Sequence, residues 1–380
     1  MDPVRWKIED HTRAKHRVLR SYLDAWIPIM GCQSKKAYQP DGPPRLLLVD
    51  GFAGPGTYLD GEPGSPLIML DALLSHASLE KLGDVIFLYL FIEQDPRRVA
   101  ALKEEIAKLE VPANVKIHVE PGRFEDRFSE LIAKIKGNGK SLVPTFAFID
   151  PFGYSSASMS LTGSFLDFPR SEALFFLPLS FVHRFVGRAG QEATLNSLFD
   201  GDRWREAIPL SGDDRKSFLM ELFEEVLSSQ GQVKHVASFR LNTNDGNDYR
   251  LVFATQHEKG LDQMKRAMWK VDPISGISYS AKMNSGQEML FSLDPDTGPL
   301  LAELKRAFGS RWFTVSEATE VTRPTPFVSD SHLKRLTLAP AEKVGVLEVK
   351  RKDGQRAGTF GDDLRMRFLL RLHSRLRSLN

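Results

Sequence analysis

The sequence predicts an α/β chain: a mostly parallel, Rossmann-like sheet with helices on both faces, closed by an antiparallel hairpin and followed by a small helical C-terminal domain. Three observations predict it. Apolar runs at residues 46–49, 85–92, 115–119, 145–149 and 173–177 alternate with amphipathic stretches, as strands buried on both faces do. Two further runs, 235–241 and 249–255, are joined by a turn-rich segment, 242–248, too short for the crossover that parallel strands need. From about residue 297 the pattern turns to short helices with a basic end.

Taken in order, residues 6–30 carry Val18, Leu19, Tyr22, Leu23 and Trp26 at helical spacing, and 31–44, rich in Gly, Pro and Lys, read as a linker. Helices between the strands are predicted at 66–74, 96–109, 124–135 and 158–168. Gly64-Ser65-Pro66 marks the first, with Ser65 as N-cap and Pro66 at the first helical position, which leaves 57–63 as an extra loop. Asp95 caps the helix opened by Pro96. A helix at 214–228 precedes the hairpin, and one at 261–270 follows it until Asp272-Pro273. Further on, 300–308 is helical, and Thr314-Val315-Ser316-Glu317 is a capping box. Ser329 or Asp330 caps a third helix bearing His332, Lys334 and Arg335. Strands at 344–351 and 356–360 flank Lys352-Asp353-Gly354-Gln355, the signal of a tight hairpin. Three short helices and a basic hairpin predict a winged helix, whose third helix enters a major groove. The expected division is 1–44 as helix and linker, 45–296 as the sheet domain and 297–380 as the winged helix with a basic tail.

Composition narrows the function. The chain has 380 residues and a net charge of +2. Residues 331–380 hold twelve Lys/Arg against five Asp/Glu, a net of +7, which leaves the first 330 residues at −5. A basic end on a mildly acidic body points to nucleic acid as a partner. One cysteine, Cys32, excludes an internal disulfide framework and a Cys-based metal cluster, and the histidines show no metal-ligand spacing, so no metal is expected. Apolar runs fall short of the ~18 residues of a membrane span, and the polar N-terminus has no secretory h-region. A cytoplasmic protein with no membrane partner is expected.

The sharpest local signal is Val49-Asp50-Gly51-Phe52-Ala53-Gly54-Pro55-Gly56: a strand ends in an acid and turns through three glycines, so a bulky ligand can approach the backbone. A nicotinamide fingerprint puts glycine directly after the strand and the ribose acid about 20 residues later. Here the acid comes first and the next strand-end acid is Glu93. Together with the antiparallel finish, this favours S-adenosylmethionine (SAM) and a methyltransferase core. Asp50, Gly51, Phe52, Ala53, Gly54 and Gly56 are the expected cofactor loop. Glu93 is expected on the ribose hydroxyls, and Phe124, after the third strand, near the adenine. Asp150-Pro151-Phe152-Gly153 ends the fourth strand on the same edge. In amino-methyltransferases this position carries an acid or Asn, two prolines and an aromatic, which hold the target amine and stack on its base. Asp150, Pro151 and Phe152 are therefore the candidate catalytic set, although the second proline is missing. Cytosine-C5 chemistry needs a cysteine near the fourth strand, and Cys32 lies before the first.

These segments, with Phe253-Ala254-Thr255 and residues 260–270 (GLDQMKRAMWK), resemble the three-Cys-motif partner (TcmP) family of bacteria and archaea. The resemblance implies a class I methyltransferase-like domain, a C-terminal winged helix and a neighbouring partner that looks like a radical-SAM protein. The expectation is a SAM-dependent methyltransferase acting on a nucleic-acid base amine. His332, Lys334, Arg335, Lys350, Arg351 and Lys352 are expected on the nucleic acid, DNA or RNA. The alternative is a nucleic-acid-binding or partner-scaffold protein that keeps the fold with little or no catalysis.

Overall fold

The computed structural model describes residues 4–36, 42–151, 157–243, 246–280, 295–352 and 354–369. The chain divides into a larger N-terminal unit and a smaller C-terminal one.

The larger unit is built on an eight-stranded sheet: β1 (Arg45–Asp50), β2 (Ile86–Glu93), β3 (Val115–Pro121), β4 (Thr145–Ile149), β5 (Ser171–Leu177), β6 (His235–Asn242), β7 (Asp248–Thr255) and β8 (Ser278–Ser280). Their order is β3-β2-β1-β4-β5-β7-β6-β8. The first five pair in parallel, whereas β7 is antiparallel to both β5 and β6. All seven expected strands form within a few residues of their predicted ends. The short β8 was not expected.

Strand alternation sorts the core into two layers. Leu46, Leu48, Phe87, Tyr89 and Phe146 join one hydrophobic cluster, while Leu47, Val49, Ala147 and Ile149 join the other. The first layer is covered by α1 (Asp10–Lys36), α2 (Ser65–Leu74) and α9 (Glu258–Val271). The second is covered by α4 (Phe124–Gly137), α5 (Met159–Leu166), α7 (Glu192–Phe199) and α8 (Gly212–Ser228). Helix α3 (Pro96–Ile106) connects β2 to β3, and α6 (Leu179–Phe185) follows β5.

Several boundaries differ from expectation for physical reasons. Helix α1 runs on to Lys36, through Pro28 and past Gly31, where a linker was predicted. A Cβ on Gly31 would stand 2.8 Å from Leu82, so the glycine serves close packing and does not end the helix. Gly64, not Ser65, is the N-cap of α2, without a side-chain cap, and Ser65 is buried in the first turn. Asp95 caps α3 as expected, accepting from the Arg97 amide at 2.9 Å. Helices α6 and α7 and the 3-10 turn Arg203–Ala207 fill a stretch that the sequence left unassigned.

The smaller unit contains α10 (Gly298–Phe308), β9 (Phe313–Thr314), α11 (Val315–Thr322), a π-helix over Ser329–Leu338, α12 (Ala339–Lys343), β10 (Leu347–Lys350) and β11 (Arg365–Phe368). The predicted capping box forms, with Glu317 and Thr314 bonding each other's amides at 2.7 and 3.1 Å. The antiparallel partner of β10 is Arg365–Phe368, not 356–360, and β9 completes a three-stranded sheet in the order β10-β11-β9. The apolar alternation of Met366 and Phe368, both buried, decides this pairing. Phe308 stacks on Phe313 with centroids 4.1 Å apart in the core of this unit.

Candidate functional site

Strand order reverses at β1, which has β2 on one side and β4 on the other. Loops leaving neighbouring strands in opposite senses open a crevice at their carboxyl ends. Asp50, Glu93 and Asp150 close or follow these three strands, so the tertiary fold brings the acids of three separate motifs to one edge.

The glycine loop is held tightly. Gly51 donates to the Phe148 carbonyl, and Ala53 to the Ile92 carbonyl, both at 3.0 Å. Gly54 and Gly56 have φ of +64° and +86°, the left-handed region where a side chain is strained. Gly51 is needed for a different reason: a Cβ there would stand 2.6 Å from the Phe124 ring.

Asp50 is fully buried. Its Oδ1 accepts from the Phe52 amide at 3.1 Å, while Oδ2 is buried without a hydrogen bond of good geometry. Burial pushes the carboxyl up to about 7; the Ser65 hydroxyl and the Phe52 amide offset only part of that cost. Glu93 is also buried, and both its oxygens serve the backbone: Oε2 accepts from Gly54 at 2.9 Å and Oε1 from Asp95 at 2.8 Å. It therefore straps the glycine loop to the tip of β2, a role the sequence did not reveal.

Two cavities open on this edge, and Phe52 lines both. The smaller, about 80 Å³, is lined by Gly51, Glu93, Gly122 and Phe124. The larger, about 260 Å³, is lined by Gly54, Asp150, Pro151, Phe176 and Tyr249 and by residues of the N-terminal segment. Phe124 is buried against Phe52, with centroids 5.3 Å apart. Phe152 and Gly153 lie outside the described residues. Cys32 is exposed on α1 and lines neither cavity.

The N-terminal segment lines the larger cavity, a placement not expected from the sequence. Lys15 of α1 is 4% exposed and lines the larger cavity. Its ammonium pairs with Asp150 Oδ2 and sits 4.3 Å from the Phe176 ring centroid. His11 stacks on Tyr249 at 4.6 Å, and Tyr249 on Phe176 at 5.1 Å, which gives the cavity an aromatic wall. His16 is buried; desolvation, with Lys15 and His11 nearby, holds its imidazole well below the usual range, so it is neutral. The loop 57–63 is fastened to this segment: the Leu59 amide donates to Trp6, Arg13 forks onto Glu62 at 2.6 and 3.0 Å, and Tyr58 meets Trp6 edge-on. Burial, then the charges of Asp150 and Asp50, raise the Tyr58 hydroxyl above its ordinary value. A signal for Lys15 was present. It lies three, seven and eleven residues before Val18, Tyr22 and Trp26, so it is a charged residue on the apolar stripe of an amphipathic helix.

In the smaller unit the expected nucleic-acid residues divide. His332 is buried, and its Nδ1 accepts from the Val328 amide at 3.0 Å, so it turns inward and is not a surface contact. The third helix is a π-helix, and His332 lies among its buried residues with Leu333, Thr337 and Leu338. Arg351 is mostly buried and bonds Glu342 at 2.8 Å, with further bonds to the Arg356 and Thr359 carbonyls, so it organises its own loop. Lys334 pairs with Asp362 at 3.3 Å. Arg335 and Lys352 are exposed. Lys350 and Arg367 lie 4.3 and 4.8 Å from the Trp312 ring, a cation–aromatic cluster not anticipated from sequence.

The strand order, the antiparallel β7 and the acid-led glycine loop at the switch point define a Rossmann-like, mostly parallel α/β fold with an antiparallel finish. Similar solved structures include an O-methyltransferase from Bacillus cereus in complex with SAH, 12% identical over 62% of this chain and 80% of that one, at a TM-score of 0.34. Others are a putative O-methyltransferase from Klebsiella pneumoniae (13% identity, 67% and 91% coverage, TM-score 0.31) and a putative methyltransferase from Thermoplasma acidophilum (12%, 67% and 77%, 0.29). No protein-family profile matches the chain, and no curated protein does. Among the described residues no helix is long and apolar enough to cross a membrane, and no cluster of His, Cys, Asp and Glu could hold a metal ion.

Proposed function

We propose that this chain is a SAM-dependent methyltransferase whose acceptor is an exocyclic amine of a nucleic-acid base. The observation that carries the reading is that Gly54 and Asp150 line one cavity at the carboxyl ends of β1 and β4. The residues fit SAM on two counts. Asp50 Oδ2 is a buried acceptor without a good partner, matched to the amino group of the methionine moiety, and Gly54, which lines the larger cavity, has no atom closer than 3.7 Å to where a Cβ would stand, so a ligand can approach its backbone. Glu93 would keep lone pairs for the ribose hydroxyls, and Phe124 and Gly122 would border the adenine. Bound SAM supplies an electrophilic methyl group on its sulfonium. The protein's own part is positioning: Asp150 accepts an N–H of the amine, turns its lone pair toward the cavity and takes up the proton the nitrogen sheds. The His11–Tyr249–Phe176 wall provides aromatic faces for a flipped base, worth about 1–3 kcal/mol.

Delivery to nucleic acid falls to the smaller unit, read as a winged helix. Support comes from the three-stranded sheet beside short helices, and from Arg335, Lys350, Lys352 and Arg367 with Trp312. The test combines SAM calorimetry with transfer of labelled methyl to DNA and RNA. Asp150→Ala should lose nearly all turnover, Asp150→Asn should retain part, and neither should shift SAM affinity much, because the contact acts on the acceptor. Arg335→Ala with Lys352→Ala should lower the salt dependence of binding by roughly one counterion per cation removed. SAM binding without transfer to any nucleic acid would favour the scaffold alternative, in which the chain serves a partner protein.

A further inference from the structure

The acid at the end of β4 does not stand alone. Asp150 shares the acceptor cavity with Lys15, and the two side chains are in contact. An ammonium has three N–H donors. One is directed to Asp150 Oδ2 and one is accounted for by the Phe176 face, 4.3 Å away, which leaves a donor for whatever enters the cavity. Asp150, one-fifth exposed, keeps acceptor capacity on Oδ1, which has no hydrogen-bond partner among the described residues. The cavity wall therefore offers a hydrogen-bond acceptor and a charged donor side by side, next to an aromatic stack.

The geometry points to Lys15 as a specificity-determining residue of the methyl acceptor site: the Lys15–Asp150 pair recognises an amine that sits beside a ring-nitrogen acceptor, an edge carried by adenine, by cytosine and by the N2–N3 side of guanine. Asp150 takes the amine N–H, and Lys15 donates to the neighbouring ring nitrogen. Thymine and uracil have no amine to give. This inference rests on the methyltransferase reading above and adds to it the class of base and the residue that selects it.

Burial makes the arrangement selective. Lys15 is out of water, so a bound edge that leaves its donor unmet forfeits a charged hydrogen bond in a desolvated site. The helix also holds the lysine in register. Arg13, two residues earlier, is forked onto Glu62, and Val18 and Leu19 are fully buried one turn later. A long, flexible side chain is thus anchored at its root, and its head is fixed by Asp150 and Phe176.

The test uses the full-length protein and single-stranded oligonucleotides with one target base: adenine, 1-deazaadenine, 7-deazaadenine, cytosine, 3-deazacytosine or thymine. Two readouts are taken: kcat/KM for labelled methyl transfer, and the Kd of the oligonucleotide by anisotropy with S-adenosylhomocysteine bound. Lys15→Met, assayed at saturating SAM and at a pH where Asp50 is ionised, should reduce kcat/KM on the preferred base about 10–100-fold and weaken its binding. On the deaza analogue lacking the contacted nitrogen, wild type should fall by a similar factor, and Lys15→Met should add less than about 3-fold, the signature of one shared contact. Lys15→Arg keeps a cationic donor and should recover part of the loss. Equal losses for Lys15→Met on natural and deaza bases would overturn the proposal and leave Lys15 a structural residue. Transfer to thymine, to sugar or to protein would overturn it together with the amine acceptor of the proposed function, while SAM-dependent methyl transfer itself would stand. Absence of SAM binding by the wild type would overturn both. Thermal unfolding of each variant separates misfolding from lost recognition.

Discussion

Replacing Asp50 with Asn removes a single buried charge, and the size of its effect follows from where the carboxyl titrates. Burial disfavours the carboxylate and pushes the group from its ordinary 3.8 up to about 7. At roughly 1.36 kcal/mol per unit, ionising it in the native state costs about 4 kcal/mol of stability. The sign follows from proton counting. Between pH 4 and 7 the unfolded chain has released this proton and the native chain still holds it, so stability falls as pH rises across that window. Asn cannot ionise and escapes the loss, but its amide N–H meets no good acceptor where Oδ2 stood, which costs about 1–3 kcal/mol at every pH. Asp50→Asn should therefore be less stable than wild type at pH 4.5 and more stable, by roughly 1–3 kcal/mol, at pH 8. Urea unfolding followed by tryptophan fluorescence at both pH values measures the crossing. The same buried group should govern SAM: wild-type affinity should fall roughly 20-fold from pH 7.5 to 5.5 as Asp50 takes its proton, and Asp50→Asn should bind weakly throughout. A stability difference that does not change sign with pH, or a SAM affinity that is flat in the wild type, would refute the assignment of a buried, ionising Asp50 whose Oδ2 lacks a good partner.

Two further outcomes test the loop that surrounds it. Glu93→Ala should release the Gly54 and Asp95 amides together, weakening SAM more than tenfold and lowering the melting temperature, whereas Asp95→Ala should lower the melting temperature and leave SAM affinity within about twofold. The reverse ranking in calorimetry would show that Asp95 holds the cofactor. Gly51→Ala has an ordinary φ but drives a methyl group into the Phe124 ring, 2.6 Å away. It should weaken SAM at least tenfold, and Gly51→Ala with Phe124→Leu should recover part of that loss; no recovery would place the damage elsewhere than the small cavity.

Much of this molecule was legible in the linear chain because the information is local. Strands buried on both faces must be continuously apolar, so β1 to β5 appear as runs, and the turn-rich 242–248 is too short for anything but an antiparallel return. The acid-led glycine loop was legible because φ near +64° and +86° admits few residues but glycine. Asp95 and the Thr314–Glu317 box were legible because capping is a contact between near neighbours.

Contacts between residues far apart in the chain left fainter traces or none. That Glu93 spends both oxygens on backbone amides depends on where β1 and β2 end side by side, not on residues near it. The inward placement of His332 goes with its bond from the Val328 amide and a π-helix that its sequence does not announce, and the partner of β10 was settled by which strand could bury Met366 and Phe368. Lys15 and Asp150 are 135 residues apart, and only the packing of α1 across the sheet brings the ammonium to the acid. The sequence by itself determined the sheet, its glycine loop and the three strand-end acids. The tertiary structure alone decided which of those acids keeps one buried oxygen without a partner, which straps the glycine loop and which is paired with a lysine, because burial and partnership are properties of neighbours in space.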